Sequence, residues 1–278
     1  MADVKTAASK TQSHAGKPQN SNNFLLNLGI VVACIIVAEL VFSFVFGSPS
    51  NFKDAEKHVP ANFMGTVHSG GWVVPILLGT TLTLISFCVE RALTIIKAKG
   101  KVNPAEFVRK VQYHLANRNV DAALAECDKQ KGSVGNVMKA GLRKYKELIS
   151  DTQLDTEQKV LSIQKEVEEA TALELPMLEK NLVFLSTIAS VATLLGLLGT
   201  VMGMIRSFSA LGAEGGGEAA AKLSQGISEA LYNTALGIGT SAVAIIMYNV
   251  FTTKIDGITY GIDESGFTLT QSFASLYK

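Results

Sequence analysis

The chain has few charged residues and lacks the short motifs that mark several large enzyme classes. Only 18% of its 278 residues are Asp, Glu, Lys or Arg, whereas 47% are hydrophobic. It contains no Gly-x-x-x-x-Gly-Lys-Ser/Thr phosphate loop, no His-Glu-x-x-His and no Gly-x-Ser-x-Gly. These absences argue against a P-loop ATPase, a zinc protease and an α/β-hydrolase. We therefore expect that the protein is not an enzyme and that any work it performs is driven by an ion gradient.

Cysteine and histidine are also scarce. Cys34 and Cys88 lie in apolar segments, Cys127 lies in a basic region, and the four histidines are scattered singly. No spacing resembles a metal clamp or a disulfide framework. We therefore expect free structural thiols, no metal and no organic cofactor.

The hydrophobic residues gather in four long blocks, at residues 24–46, 72–96, 181–205 and 226–252. Each block is long enough to cross about 30 Å of hydrocarbon as a helix. The first block is longer than the apolar core of a signal peptide, so we interpret it as a span. The expected fold class is all-α: a polytopic membrane protein with four transmembrane helices and long helices that extend into the cytoplasm.

The distribution of charge predicts the topology of these spans. Of the 25 Lys and Arg residues, 15 lie between Lys97 and Lys180, and positive charge collects on the cytoplasmic side of membranes. Both termini are therefore expected in the cytoplasm. The segments between and beyond the spans are a disordered cytoplasmic arm at 1–23, an extracytoplasmic connector at 47–71, a helical cytoplasmic region at 97–180, an extracytoplasmic loop at 206–225 and a cytoplasmic tail at 253–278.

Glu229 is the most informative single residue, because it opens the last span and is followed by 24 uncharged residues. An ionisable side chain in hydrocarbon costs at least about 2.5 kcal/mol and usually faces a bundle interior or a hydrated path. The alternative is that Glu229 only marks the membrane surface. Glu90 and Arg91, near the end of the second block, are expected either to pair or to reach towards the interface.

The last two spans are rich in small residues. Gly196, Gly199 and Gly203 recur at intervals that allow close helix approach, and Gly237 on the last span is expected to serve the same packing. Bulky substitution of Gly203 should therefore disrupt assembly.

Several uncharged polar residues accompany Glu229. Asn233 and Thr240 lie near its stripe on an ideal helix and are candidate pore-lining residues, whereas Thr234 points about 140° away. On the third span, the hydroxyls of Thr193 and Thr200 either bond to a carbonyl of their own helix or line a hydrated path.

Three segments together resemble the MotA/TolQ/ExbB proton-channel family, with ExbB the closest match. They are Leu194-Leu-Gly-Leu-Leu-Gly-Thr-Val-Met-Gly-Met-Ile-Arg-Ser-Phe208, Gly226-Ile-Ser-Glu-Ala-Leu-Tyr-Asn-Thr-Ala-Leu-Gly237 and Tyr248-Asn-Val-Phe251. The extra apolar block at 24–46 departs from the usual three-span pattern. By the resemblance, Glu229 is the essential carboxylate of the last span, and Thr200 and Thr234 are hydroxyls of a proton path.

The same resemblance implies an assembly and a function. The expected assembly is a homopentamer, embedded in the lipids of a Gram-negative inner membrane, that surrounds a dimer of an ExbD-like single-span protein carrying a membrane aspartate. Protons would be the coupling ion, and their flow would energise a TonB-like protein that serves transport across the outer membrane. No nucleic acid is expected as a partner.

Two other functions remain open at this point. A TolQ-like subunit of the Tol-Pal envelope system would share the proton-path motifs. A passive membrane scaffold would use the glycine-rich spans only for helix assembly, and the basic region only to recruit a partner. Glu229 separates the scaffold from the proton-driven subunit, because only the latter requires the carboxylate.

Overall fold

The structure is a computed structural model that describes residues 20–53, 60–213 and 217–277. The described residues are helical almost throughout and contain no β-strand, which confirms the all-α fold class. The α-helices are α1 Asn20–Leu40, α2 Phe63–Ser69, α3 Val73–Lys99, α4 Pro104–Ala116, α5 Val120–Gln130, α6 Gly132–Ile149, α7 Thr156–Glu179, α8 Leu182–Ala213 and α9 Gly217–Leu276. A π-helical stretch, Val41–Phe46, continues α1, and a short 3-10 turn spans Pro49–Asn51.

Four of these helices are long and apolar enough to cross a membrane: α1 with its π-helical extension, α3, α8 and α9. Their number agrees with the four expected spans. Residues 1–19 of the expected disordered arm lie outside the described residues. The last four residues of that arm, 20–23, belong to α1.

The helices extend farther than the expected boundaries. α8 runs through the first part of the expected loop at 206–225 to Ala213, and α9 begins at Gly217 and continues through the expected tail to Leu276. At 1.5 Å per residue, the 60 residues of α9 measure about 90 Å, three times the hydrocarbon thickness. The extension is stable because the tail carries apolar side chains at helical spacing, including Ile255, Ile262 and Phe273, all buried.

These tail residues pack in a bundle outside the spans, which we call the head bundle and define as α4–α7 with residues 254–277 of α9. Its helices begin at capping side chains: Asn103 precedes Pro104 in α4, Asn119 precedes α5, and Asp155 forms a capping box with Gln158 in α7. The core contains the buried side chains of Phe107, Val111, Leu115, Met138, Leu142, Tyr145, Ile163, Ile262, Leu269 and Phe273.

The buried thiol of Cys127 belongs to this head bundle. Loss of hydration raises the pKa of Cys127 to about 12, so the thiol stays protonated at neutral pH. Cys34 and Cys88, like Cys127, are free thiols. No group of three His, Cys, Asp or Glu within the described ranges is arranged to hold a metal ion.

A buried polar network joins the head bundle to the spans. Arg91 of α3 is only 1% exposed; its Nε donates to Glu90 Oε2 at 2.6 Å, and its Nη1 donates to the Leu178 carbonyl at 3.2 Å. Of the two expectations for Glu90 and Arg91, pairing is therefore the one observed. The guanidinium also occupies the C-terminus of α7, where helix carbonyls lack partners and favour a positive charge.

The same network includes the extra N-terminal span. Asn181 connects α7 to α8 with a positive φ of 65°, and its Nδ2 donates to Glu90 Oε2 at 3.2 Å. Asn27 of α1 donates from its Nδ2 to Asn181 Oδ1 at 2.7 Å. Farther along, Gly79 of α3 lies against Ile35, because a Cβ at Gly79 would be 3.1 Å from the Cα of Ile35. The extra span therefore packs on α3 and is hydrogen-bonded to Asn181, the residue before α8.

We predict that Phe273→Ala destabilises the head bundle by about 3–5 kcal/mol, because Phe273 is fully buried against Tyr145 with ring centroids 4.8 Å apart. The measurement is thermal unfolding of the purified protein in detergent. Phe267→Ala is the matched control on the same helix, since Phe267 is 69% exposed. Equal losses of stability in the two variants would contradict this assignment of the core.

Candidate functional site at the α8 and α9 helices

The α8 and α9 helices approach each other so closely that their contact excludes side chains at several positions. A Cβ added at Gly237 would be 2.5 Å from the Ala192 carbonyl oxygen and 2.8 Å from the Gly196 Cα. At Gly199 the added atom would be 2.6 Å from the Asn233 Cβ, and at Gly203 it would be 2.8 Å from the Ala230 Cβ. The four glycines expected to pack therefore all lie at this interface.

Two threonine hydroxyls meet within the interface. Thr200 Oγ1 of α8 and Thr234 Oγ1 of α9 are hydrogen-bonded to each other. The Gly196 carbonyl oxygen lies 3.2 Å from each of the two hydroxyl oxygens, and it accepts from the one whose single proton is not used in the bond between them. Both residues are half-buried. The two alternatives for Thr200 are compatible, since it bonds to its own helix and also borders an open groove beside Met204 and Phe208.

Glu229 lies on a different side of α9 from Thr234. It is half-buried, and its Oε1 accepts a hydrogen bond from Gln225 Nε2 at 2.9 Å, one helical turn earlier. Arg206 of α8 supplies an attractive positive charge to the carboxylate. The Arg206 guanidinium also lies against Gly71, whose positive φ of 75° allows the chain to turn sharply between α2 and α3.

The two pore-lining candidates on α9 share the side of Glu229, and this side is covered by the chain's own α2–α3 region. Asn233 Nδ2 donates to the Gly70 carbonyl at 3.1 Å, and the Thr240 hydroxyl lies 2.7 Å from the Thr81 hydroxyl. Asn233 is 2% exposed and Thr240 is 6% exposed. Thr193, the third candidate, is exposed on α8 and lies two turns before Thr200 on the same side.

The polar residues of α8 and α9 thus form two groups. Asn233 and Thr240 contact the α2–α3 region, whereas Thr200 and Thr234 meet between α8 and α9. Glu229 lies one turn before Asn233 on the same side of α9. The contributions of Gln225 and Arg206 to the surroundings of Glu229 were not anticipated. The i−4 spacing could have identified Gln225, but the position of Arg206 depends on how α8 ends.

Comparison with known proteins finds similarity over the region that contains α8 and most of α9. Residues 129–264, from α5 to near the end of α9, match the profile of the MotA/TolQ/ExbB proton channel family. This matched region, just under half of the chain, is similar to that family. The matched part includes Thr200, Glu229 and Thr234, and it leaves out α1, α2 and α3.

Individual relatives have names from both the ExbB and the TolQ branches of the MotA/TolQ/ExbB family. The chain is 42% identical over 88 residues to "Putative biopolymer transport protein ExbB-like 3" of Synechocystis, which covers 31% of this chain and 41% of that protein. It is 31% identical over 121 residues to "Tol-Pal system protein TolQ" of Pseudomonas aeruginosa, covering 44% and 52%. A longer match, 25% identical over 203 residues, is to an ExbB homolog of Methanothermobacter thermautotrophicus, covering 70% and 66%. The chain spans about half or less of the first two relatives.

We predict that Gly237→Ala weakens the contact between α8 and α9, because the added methyl group would overlap the Ala192 carbonyl and Gly196. Gly239→Ala is the matched control, since a Cβ there meets nothing within 4 Å. Both substitutions raise helix propensity equally, so only packing distinguishes them. Native mass measurement in detergent should show a loss of assembly, and thermal unfolding a loss of stability, for Gly237→Ala alone. Two variants that assemble and are equally stable would refute the packing role.

Proposed function

We propose that this protein is the proton-conducting stator subunit of an ExbB–ExbD-type motor in the inner membrane, which uses the proton motive force to energise transport across the outer membrane. The observation that carries the proposal is the half-buried carboxylate of Glu229, which accepts a hydrogen bond from Gln225 and is attracted by the charge of Arg206 in a candidate membrane span. A buried carboxylate at such a position is expected to have a function. The family match supports its assignment to a proton channel.

A membrane potential supplies enough free energy for such a role. Each charge that crosses a potential of 100 mV releases about 2.3 kcal/mol, which is comparable to the energy of several weak helix contacts. Proton binding to Glu229 removes its attraction to Arg206, and proton release restores it. We propose that this alternation, repeated around a homopentamer, changes the packing against a dimer of a single-span ExbD-like protein that carries a membrane aspartate.

The surface of the chain supports an assembly with other helices and with lipid. On α8, large apolar side chains remain exposed, including Leu194, Leu197, Val201, Ile205 and Phe208. Exposed apolar surfaces of this extent mark contacts with membrane lipids or with other subunits. We propose that the groove beside Thr200, which Val201, Ile205 and Phe208 border, faces the partner helices. Both termini of the chain would then lie in the cytoplasm, and a TonB-like protein would receive the work.

A TolQ-like role in the Tol-Pal system is the second candidate function. The observation that favours it is the similarity to TolQ of Pseudomonas aeruginosa and, at 38% identity over 96 residues, to TolQ of Haemophilus influenzae. Both roles use the same proton path. Identification of the small single-span protein that copurifies with this chain separates them, since an ExbD-like partner supports the first and a component of the Tol-Pal system the second.

We predict that Glu229→Gln assembles normally and loses proton-driven work. The amide has nearly the shape of the carboxyl group but cannot release and rebind a proton, so proton flux in proteoliposomes should fall by about 100-fold or more. Glu264→Gln is the control, because Glu264 is an exposed carboxylate on the same helix. Gradient-dependent nutrient uptake that persists fully in the Glu229 variant would support the passive scaffold instead.

We also predict a specific requirement for the Thr200 hydroxyl. Thr200→Val keeps the side-chain shape and removes the hydrogen bond to Thr234, whereas Thr200→Ser retains it. Proton flux should fall in the valine variant and recover in the serine variant. Thr187→Val is the matched control on α8, since the Thr187 hydroxyl is exposed and bonds only to the Val183 carbonyl. Normal flux through a correctly assembled Thr200→Val complex would exclude Thr200 from the path.

A further inference from the structure

Asn233 has a buried oxygen atom that lacks a hydrogen-bond partner. The side chain is 2% exposed, and its Nδ2 donates to the Gly70 carbonyl at 3.1 Å. Its Oδ1 is the one buried side-chain oxygen or nitrogen, among the residues that the structure describes, without a partner. Burying an acceptor without a donor costs the full free energy of the hydration that the acceptor loses. The position therefore requires a donor in at least one state of the protein.

The backbone around Asn233 does not provide that donor. The nearest turn contains Gly70 and Gly71, and their amides already donate to the carbonyls of Val67 and His68. The amides of α9 itself are engaged in the helix. A side chain that gains a donor proton in another state of the protein would supply the missing donor.

Glu229 has this property, and it lies on the same stripe of α9 as Asn233. It lies four residues before Asn233, and side chains separated by four residues are neighbours on a helix. Helical side chains also lean towards the N-terminus, so the Asn233 amide leans towards Glu229. The hydrogen bond from Gln225 to Glu229, at 2.9 Å, shows that the same spacing is bridged one turn earlier. An ionised carboxylate only accepts hydrogen bonds, but a protonated carboxyl group donates one.

We propose that Asn233 is a positioning residue for the protonated form of Glu229, whose carboxyl O–H donates a hydrogen bond to Asn233 Oδ1. The ionised carboxylate accepts from Gln225 and is attracted by Arg206, and the protonated carboxyl group adds the bond to Asn233. No covalent bond to Asn233 forms, and the proton stays on the Glu229 oxygen. This inference rests on the proposed function of Glu229 as a carboxyl group that gains and loses a proton.

Among the described residues, the cations Arg206 and Lys222 have no acceptor atom, so neither replaces Asn233 in this role. Arg206 comes from α8, and Lys222 precedes Glu229 by two turns on α9 and is exposed. From α2, the titratable residue is His68, whose ring is stacked on Phe42 with centroids 4.5 Å apart. Arg206 and Lys222 are cations that favour the ionised carboxylate. Asn233 therefore supplies the neutral acceptor that favours the protonated one.

Infrared difference spectroscopy of the assembled protein in lipid tests this inference. The carbonyl band of protonated Glu229 is identified by its loss in Glu229→Gln, and in the unsubstituted protein it should have the frequency of a hydrogen-bonded carboxyl group. In Asn233→Leu the band should shift to higher frequency, as the carboxyl group loses its acceptor. Ser241→Ala is the control: Ser241 is a buried polar residue of α9 that bonds to the Ala189 carbonyl, so the band should not move.

Three results would overturn the inference. The first is a band at the frequency of a free carboxyl group in the unsubstituted protein. This measurement needs no Asn233 variant, so the inference stays testable if Asn233→Leu fails to assemble. An unshifted band in an assembled Asn233→Leu protein would show that another donor, such as water, satisfies Asn233. The absence of any Glu229 band at low pH would exclude the protonated form. Failure of the proposed function would give a different result: the Glu229→Gln variant would perform normal proton-driven work, whatever the infrared band shows.

Discussion

The contact between the backbones of α8 and α9 is the constraint on which the rest of the membrane part depends. Within lipid no hydrophobic force drives helices together, so close packing and hydrogen bonds must hold them. The absence of a Cβ at Gly196 and Gly237 lets the two backbones meet. Only at this separation do the hydroxyls of Thr200 and Thr234 reach each other. The packing of the spans and the arrangement of the candidate site therefore have the same cause.

A second constraint acts where the spans meet the head bundle. Arg91 is buried, and breaking a buried ion pair is costly because it leaves the other charge without compensation. Its guanidinium stabilises the end of α7, while Asn181 starts α8 in a left-handed conformation that asparagine tolerates. Asn27 joins the extra span to the same point. The one network thus holds α1, α3, α7 and α8 in position.

The α9 helix runs through both the membrane part and the head bundle. Glu229 and Phe273 lie on one continuous helix, about 66 Å apart at 1.5 Å per residue. Near one end Glu229 accepts the hydrogen bond from Gln225, and near the other end Phe273 packs on Tyr145 in the core of the head bundle. The candidate proton site and the bundle outside the membrane are therefore connected by regular backbone hydrogen bonds rather than by a loop.

Local patterns were sufficient for much of the fold, because hydrophobic length and helical period are properties of neighbouring residues. The four spans and the all-α class follow from the apolar blocks, and the resemblance to the proton-channel family follows from the motifs around Gly196 and Glu229. The helical spacing also predicted that Thr234 lies away from Glu229. The extent of α9 was missed, because apolar residues such as Ile262 and Leu269 are spread among polar ones and become a core only against α6 and α7.

The sequence by itself determined the elements of this protein: the lengths of its spans, the small residues that permit close packing, and the carboxylate at Glu229. Only the tertiary structure decided which groups meet. Arg206 near Glu229, the Gly70 carbonyl at Asn233, and Asn27 at Asn181 are brought together across different helices. Hydrogen bonds depend on distances of about 3 Å, and such distances between remote residues are set by the packing of whole helices.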